Sequence, residues 1–217
     1  MSEAVTTPQA GKPVTGAALV LAALVSASLL AIHPGGAAQD FPSLLQEETA
    51  NRALDALVHG GVIVVLAVEL VGYAVFARRV DRTSSLAALI FFAMGTAFFC
   101  ASMVLDGLVI PALAAKYLPV PAKYDAARSL FALCGILIQF LMPLGLGFQA
   151  ASIAAWGWAL IQSRAARIAG GVGLLASAAL LAGLALQPMN PLVLMGGVAV
   201  VTLWAFLMGV LGMRRAI

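Results

Sequence analysis

Charge is scarce in this chain. Only 10 % of its 217 residues are Asp, Glu, Lys or Arg, where soluble domains carry about 25 %. With 63 % hydrophobic residues and a mean hydropathy of +1.05, that shortage excludes both a soluble globular domain and a disordered chain. Cysteine is scarcer still. Cys100 and Cys134 both fall inside apolar runs, so a disulfide-stapled secreted domain is excluded as well. There is no Gly-x-x-x-x-Gly-Lys-Ser/Thr phosphate loop and no Gly-x-Ser-x-Gly nucleophile turn, which removes support for an ATPase or a serine hydrolase. Hydrolysis by an intramembrane metal stays open. The basic residues form short clusters without an interleaved aromatic stripe, so nucleic acid is not an expected partner. Eight methionines are scattered without a Met-x-x-Met pattern and read as packing rather than copper ligands.

What remains is long apolar runs. A helix needs about 20 apolar residues to cross roughly 30 Å of hydrocarbon, and the chain supplies six such stretches, at about 14–33, 56–78, 84–110, 129–160, 168–187 and 192–213. The sequence therefore predicts an all-α, polytopic membrane protein: six transmembrane helices in one bundle, residues 1–217 forming a single domain. The fifth and sixth spans are separated by Gln187-Pro188-Met189-Asn190-Pro191, where two prolines break the helix. The first run, preceded by Lys12 and followed by Gly36-Ala37-Ala38, has the outline of a signal peptide. It is longer than a signal core of about 7–15 residues and is read as a retained helix. A short extracytoplasmic interfacial helix is expected at 43–55, from the Ser43…Gln46 capping pattern and the Glu48/Arg52 spacing.

Loop charge sets an expected orientation. Lys12 precedes span one, Arg78, Arg79 and Arg82 follow span two, Arg164 and Arg167 follow span four, and Arg214 and Arg215 follow span six. The positive-inside rule puts these segments and both termini in the cytoplasm, in keeping with a bacterial inner membrane. Only the third loop, with Lys116, Lys123 and Arg128, dissents. Span four is long enough either to project from the bilayer or to bend at Pro143, which would free the carbonyl of Gln139. Gly170, Gly171, Gly173, Gly196, Gly197, Gly209 and Gly212 permit close helix approach, within the bundle or across a homodimer.

Ionisable groups inside hydrocarbon are costly and mark functional sites. Glu69 falls near mid-depth with no basic residue at its level. Tyr73, Thr96, Gln139 or a backbone carbonyl are its expected hydrogen-bond partners. Asp106 ends a stripe of Thr96, Phe99, Ser102 and Met103 in the outer half. His59 precedes Glu69 by ten residues, about 15 Å further out, near the depth of Asp106. His33 ends span one on the same side. Two readings follow. Glu69, Asp106, Gln139, Tyr73, Thr96 and Ser102 suit a non-enzymatic protein that binds or transports a small hydrophobic or amphiphilic molecule, coupled to protons through Glu69 and without a cofactor. Alternatively, His33 and His59, with or without Asp106, suit a redox or metal protein holding haem b or a divalent ion. A third reading is a non-catalytic subunit or assembly partner of a larger membrane complex.

Overall fold

The computed structural model describes residues 12–36, 38–80, 82–164, 166–188 and 190–214. Ala37, Met189 and Arg215, and the side chains of Lys12 and Arg82, all invoked above, lie outside the described set. Seven α-helices carry the fold: α1 (Lys12–Ala31), α2 (Phe41–Ala77), α3 (Arg82–Val104), α4 (Ile110–Tyr117), α5 (Tyr124–Gln162), α6 (Arg167–Leu186) and α7 (Pro191–Met213). A π-helical turn, Leu105–Val109, joins α3 to α4, and a 3-10 turn, Pro121–Lys123, leads into α5. No strand occurs among the described residues. Taking α3, the π turn and α4 as one, six helical segments are long and apolar enough to cross a membrane. The protein is a helical membrane bundle, and its many exposed leucines, valines and isoleucines are what a lipid-facing surface requires.

The helices close a ring. α1 packs between α7 and α2, α3 between α2 and α5, and α6 between α5 and α7. Close backbone approach holds two seams. A Cβ on Gly16 would lie 2.6 Å from the Gly209 carbonyl oxygen, and one on Gly157 2.7 Å from that of Gly170, so glycine is required at both contacts. Gly173, Gly197 and Gly212 likewise face side chains of neighbouring helices, whereas Gly171 and Gly196 face open space. Polar bonds also cross between helices. Ser152 Oγ donates to the Ala88 carbonyl at 2.8 Å, Ser177 Oγ to that of Ala150 at 2.7 Å, and Gln149 Nε2 to Phe92 O and Thr96 Oγ1 at 3.4 Å. The core around them is aromatic and apolar: Tyr73 lies between Phe92 and Trp156, with Leu19, Phe76 and Leu146 fully buried.

Several elements differ from expectation. α1 stops at Ala31 and leaves His33 beyond its end, because the residue before Pro34 is pushed out of helical backbone. Residues 43–55 form no separate interfacial helix. They are the N-terminal part of α2, 37 residues long without interruption, and Phe41 fixes that end by edge contacts with Tyr124 and Phe131 of α5. Its cap is Asp40 rather than Ser43: Ser43 N donates to Asp40 Oδ1 at 2.8 Å, and Asp40 N donates back to Ser43 Oγ at 3.2 Å. Ser43, through its hydroxyl and its backbone N–H, holds the Asp40 carboxyl below its usual pKa. Helix also continues past Pro111 to Tyr117, where sequence suggested a loop. A π turn, closed by Ile110 N–H donating to Leu105 O, directly precedes the proline. α5 runs unbroken through Pro143 over 39 residues.

Candidate metal centre and membrane cavity

His33, His59 and Asp106 come from three separate places in the chain and meet at one point. His33 sits in the turn after α1, His59 midway along α2, and Asp106 in the π turn. The Nε2 atoms of the two histidines are 3.3 Å apart, and His59 Nε2 is 3.2 Å from Asp106 Oδ2. One ligand atom from each residue lies within 4.8 Å of the other two. His59 is 2 % exposed. Its ring meets that of His33 edge-on, with centroids 5.0 Å apart.

The other ring nitrogens settle the protons. His59 Nδ1 is 2.9 Å from the Asp55 carbonyl oxygen, and His33 Nδ1 is 2.9 Å from the Pro34 carbonyl oxygen. A carbonyl only accepts, so both Nδ1 atoms are donors. In neutral rings both Nε2 atoms then present lone pairs, to each other and to a carboxylate. Three acceptors converge, and only a cation or an added proton between them relieves the repulsion. A backbone carbonyl on the distal nitrogen is also the usual orienting contact of a metal-ligating histidine.

Local structure explains the convergence. The π turn holds its extra residue where Asp106 must be aimed at α2, a common use of such turns. Gly107, next to Asp106, lies against the His59 ring: a Cβ there would overlap Cβ, Cγ and Nδ1 of His59. Only glycine lets α2 and the π turn approach this closely.

The cluster stands between two spaces of opposite character. Inward lies a cavity of about 490 Å³ walled by α1, α2, α3, α5 and α7, with Leu66, Phe99, Met103, Val198 and Val201 among its lining. That volume is within the roughly 300–1,000 Å³ of small-molecule sites. Glu69 also lines it and is itself 2 % exposed. Among the described residues, none hydrogen-bonds to the Glu69 carboxyl. On the other side is a smaller space of about 160 Å³ lined by Gly35, Gly36, Glu47, Glu48, Asn51 and Asp55. His33, His59 and Asp106 border both.

The remaining residues singled out from sequence do not join this site. Gln139 is exposed on α5 and Pro143 lines neither space. The buried amide is Gln149, ten residues on, and it is this residue that reaches Thr96. Tyr73 is buried among aromatic rings, and Ser102 Oγ is buried without a partner. Of the stripe below Asp106, Phe99 and Met103 face the cavity, while Thr96 and Ser102 do not line it. Sequence reasoning missed Gly107 and the polar face of α2. Glu48, Asn51, Asp55 and His59 are spaced three, four and four apart, a helical stripe that could have been found. The Glu48/Arg52 spacing does not mark this face, since Arg52 does not line the polar space. The chain matches no protein-family model, no curated protein and no solved structure.

Proposed function

We propose that this membrane protein binds a divalent cation through His33 Nε2, His59 Nε2 and an Asp106 carboxylate oxygen, at the outer mouth of its apolar cavity. The observation that carries this reading is the meeting of three lone-pair donors with both distal Nδ1 atoms already committed to carbonyls. Distance favours a small ion over haem b. Two nitrogens about 2.0–2.1 Å from a metal are about 3.4 Å apart at a tetrahedral angle and about 4.2 Å apart when trans; the observed 3.3 Å suits the first arrangement. Asp106, whose side chain is 42 % exposed, has freedom to close the third edge. Two histidines and one carboxylate are a ligand set used by zinc and by non-haem iron, and such sites keep a position open for water or substrate.

The test is elemental analysis and an absorption spectrum on protein purified in mild detergent. Near-unit zinc, iron or another divalent metal without a Soret band supports the reading, and a Soret band replaces it with haem. A metal-free preparation that takes up neither added Zn²⁺ nor Co²⁺ overturns it.

A second reading, binding or transport of a small hydrophobic or amphiphilic molecule, rests on a separate observation. Glu69 is buried, lacks a hydrogen-bond partner among the described residues and borders the cavity, so a polar group of a ligand is the partner it is missing. If Glu69→Gln binds and moves such molecules as the parent protein does, Glu69 has no such part. The inner bacterial membrane, with both termini in the cytoplasm, remains the location that the loop charges favour.

A further inference from the structure

The two spaces flanking the cluster differ in what they would hold. The inner cavity is largely apolar and has Glu69 in its lining. Besides the cluster itself, the outer one carries the carboxyl side chains of Glu47, Glu48 and Asp55, with no lysine or arginine among its described lining residues. A molecule spanning both would put a hydrocarbon chain on one side of the cation and a positively charged head on the other. The bond between chain and head would then lie at the cation. We propose, building on the cation reading above, that the protein hydrolyses the carboxylic ester or amide that joins an acyl chain to an amine-bearing head.

Each part of the reaction has a residue or a space to serve it. The cation polarises the acyl carbonyl and activates a water, as metals do when three protein ligands leave a position free. The water oxygen bonds to the carbonyl carbon, and the bond from that carbon to the head oxygen or nitrogen breaks. A vestibule carboxylate, Glu48, takes the water's proton and passes it to the departing atom. The products are a carboxylic acid, its chain still in the apolar cavity, and a free alcohol or amine in the acidic vestibule. Water is the only co-reactant, so atoms balance without an oxidant or reductant.

Glu69 places a carboxyl in the cavity wall. It follows His59 by ten residues, about 15 Å along α2. Three backbone bonds span about 3.3–3.6 Å in extended chain, so roughly a dozen bonds cover that distance. A longer chain would press methylenes against the carboxyl, which is unfavourable.

The experiment uses full-length protein in mild detergent, loaded with Zn²⁺, and follows release of dodecanoate from dodecanoylcholine. Controls are 1-dodecanoylglycerol, with a neutral head, and hexadecanoylcholine, with a longer chain. The expected result is metal-dependent release that a chelator stops and Zn²⁺ restores. Rates should favour the cationic head over the neutral one about 10-fold at low salt and fall about 10²-fold or more in His33→Ala. His33 lies at the exposed end of the site, so that variant folds. Val198→Trp, which fills the cavity, should lower the rate with dodecanoylcholine while leaving Zn²⁺ stoichiometry unchanged. Glu69→Leu should raise the rate with hexadecanoylcholine relative to dodecanoylcholine. Full zinc occupancy with no dodecanoate release overturns the hydrolase and leaves the cation site standing. Absence of any bound cation removes both. Release that is indifferent to head charge and to Val198→Trp overturns the division of the substrate between the two spaces.

Discussion

At the residue scale, the site depends on which nitrogen of each histidine is free. A cation must displace whatever proton resides at Nε2, so affinity should fall as pH falls, and each ion bound should release protons in unbuffered solution. A Zn²⁺ titration at successive pH values reads this directly, and affinity that rises toward acid would contradict lone-pair ligation. Losing a contact that only orients a ligand costs metal sites about 10- to 100-fold in affinity; His59→Ala, which removes a ligand outright, should cost at least about 100-fold. Gly107→Ala tests the packing behind that ligand. Its methyl group has no room beside the His59 ring, and overpacking of this kind costs about 1–3 kcal/mol. The expected outcome is a lower melting temperature together with weaker Zn²⁺ binding, whereas Gly171→Ala, on an open face, should change neither. The shared depth of His59 and Asp106 was legible by counting residues along two spans. Their contact was not, since the direction of Asp106 is set by a π turn, which leaves no periodic signal in sequence.

At the element scale, α2 begins on a reciprocal cap. Asp40 is held below its usual pKa by Ser43, so its contribution is present at neutral pH and is lost as pH drops through that lowered value. Asp40→Ala should therefore lower amide protection over Phe41–Leu45 at pH 7, and acid below the ordinary carboxyl value of 3.8 should do the same to the parent protein, while Asp40→Asn, a good cap in its own right, remains protected at both. A cap that makes no difference to exchange would leave the Phe41 contacts with α5 as the sole anchor of this end. Between helices, Ser152 and Ser177 each reach a carbonyl of a neighbouring helix. Such bonds average about 0.6 kcal/mol in membranes, so Ser152→Ala should shift unfolding only slightly. The six crossings could be read from run length alone, because lipid demands about 20 apolar residues whatever the packing. Helix ends read less well. The end turns of α2 and α4 carry charged side chains, and apolar run length says nothing about where a helix continues past the run. Gln149 escaped notice for another reason: attention to charge passes over an amide inside an uncharged run.

At the scale of the whole molecule, the ring closes where α1 meets α7, backbone against backbone at Gly16 and Gly209. Bulky residues there should act as one lesion. Gly16→Ile and Gly209→Ile should each lower the melting temperature in detergent, and the double variant should fall short of their sum because both push on the same contact; strict additivity would mean that the seam is not shared. Helix order around the ring was not legible, since most faces of every span are apolar and the few polar side chains do not declare which helix they meet. The seam also has a consequence for synthesis. α7 supplies Leu194, Val198 and Val201 to the cavity wall, yet Pro191 is translated 132 residues after His59. At about 5–20 residues per second, the nascent chain spends several seconds with both histidines made and the cavity open along one side. Until α7 packs, the wall it supplies is missing, and the apolar lining contributed by α1, α2, α3 and α5 lies uncovered on that side.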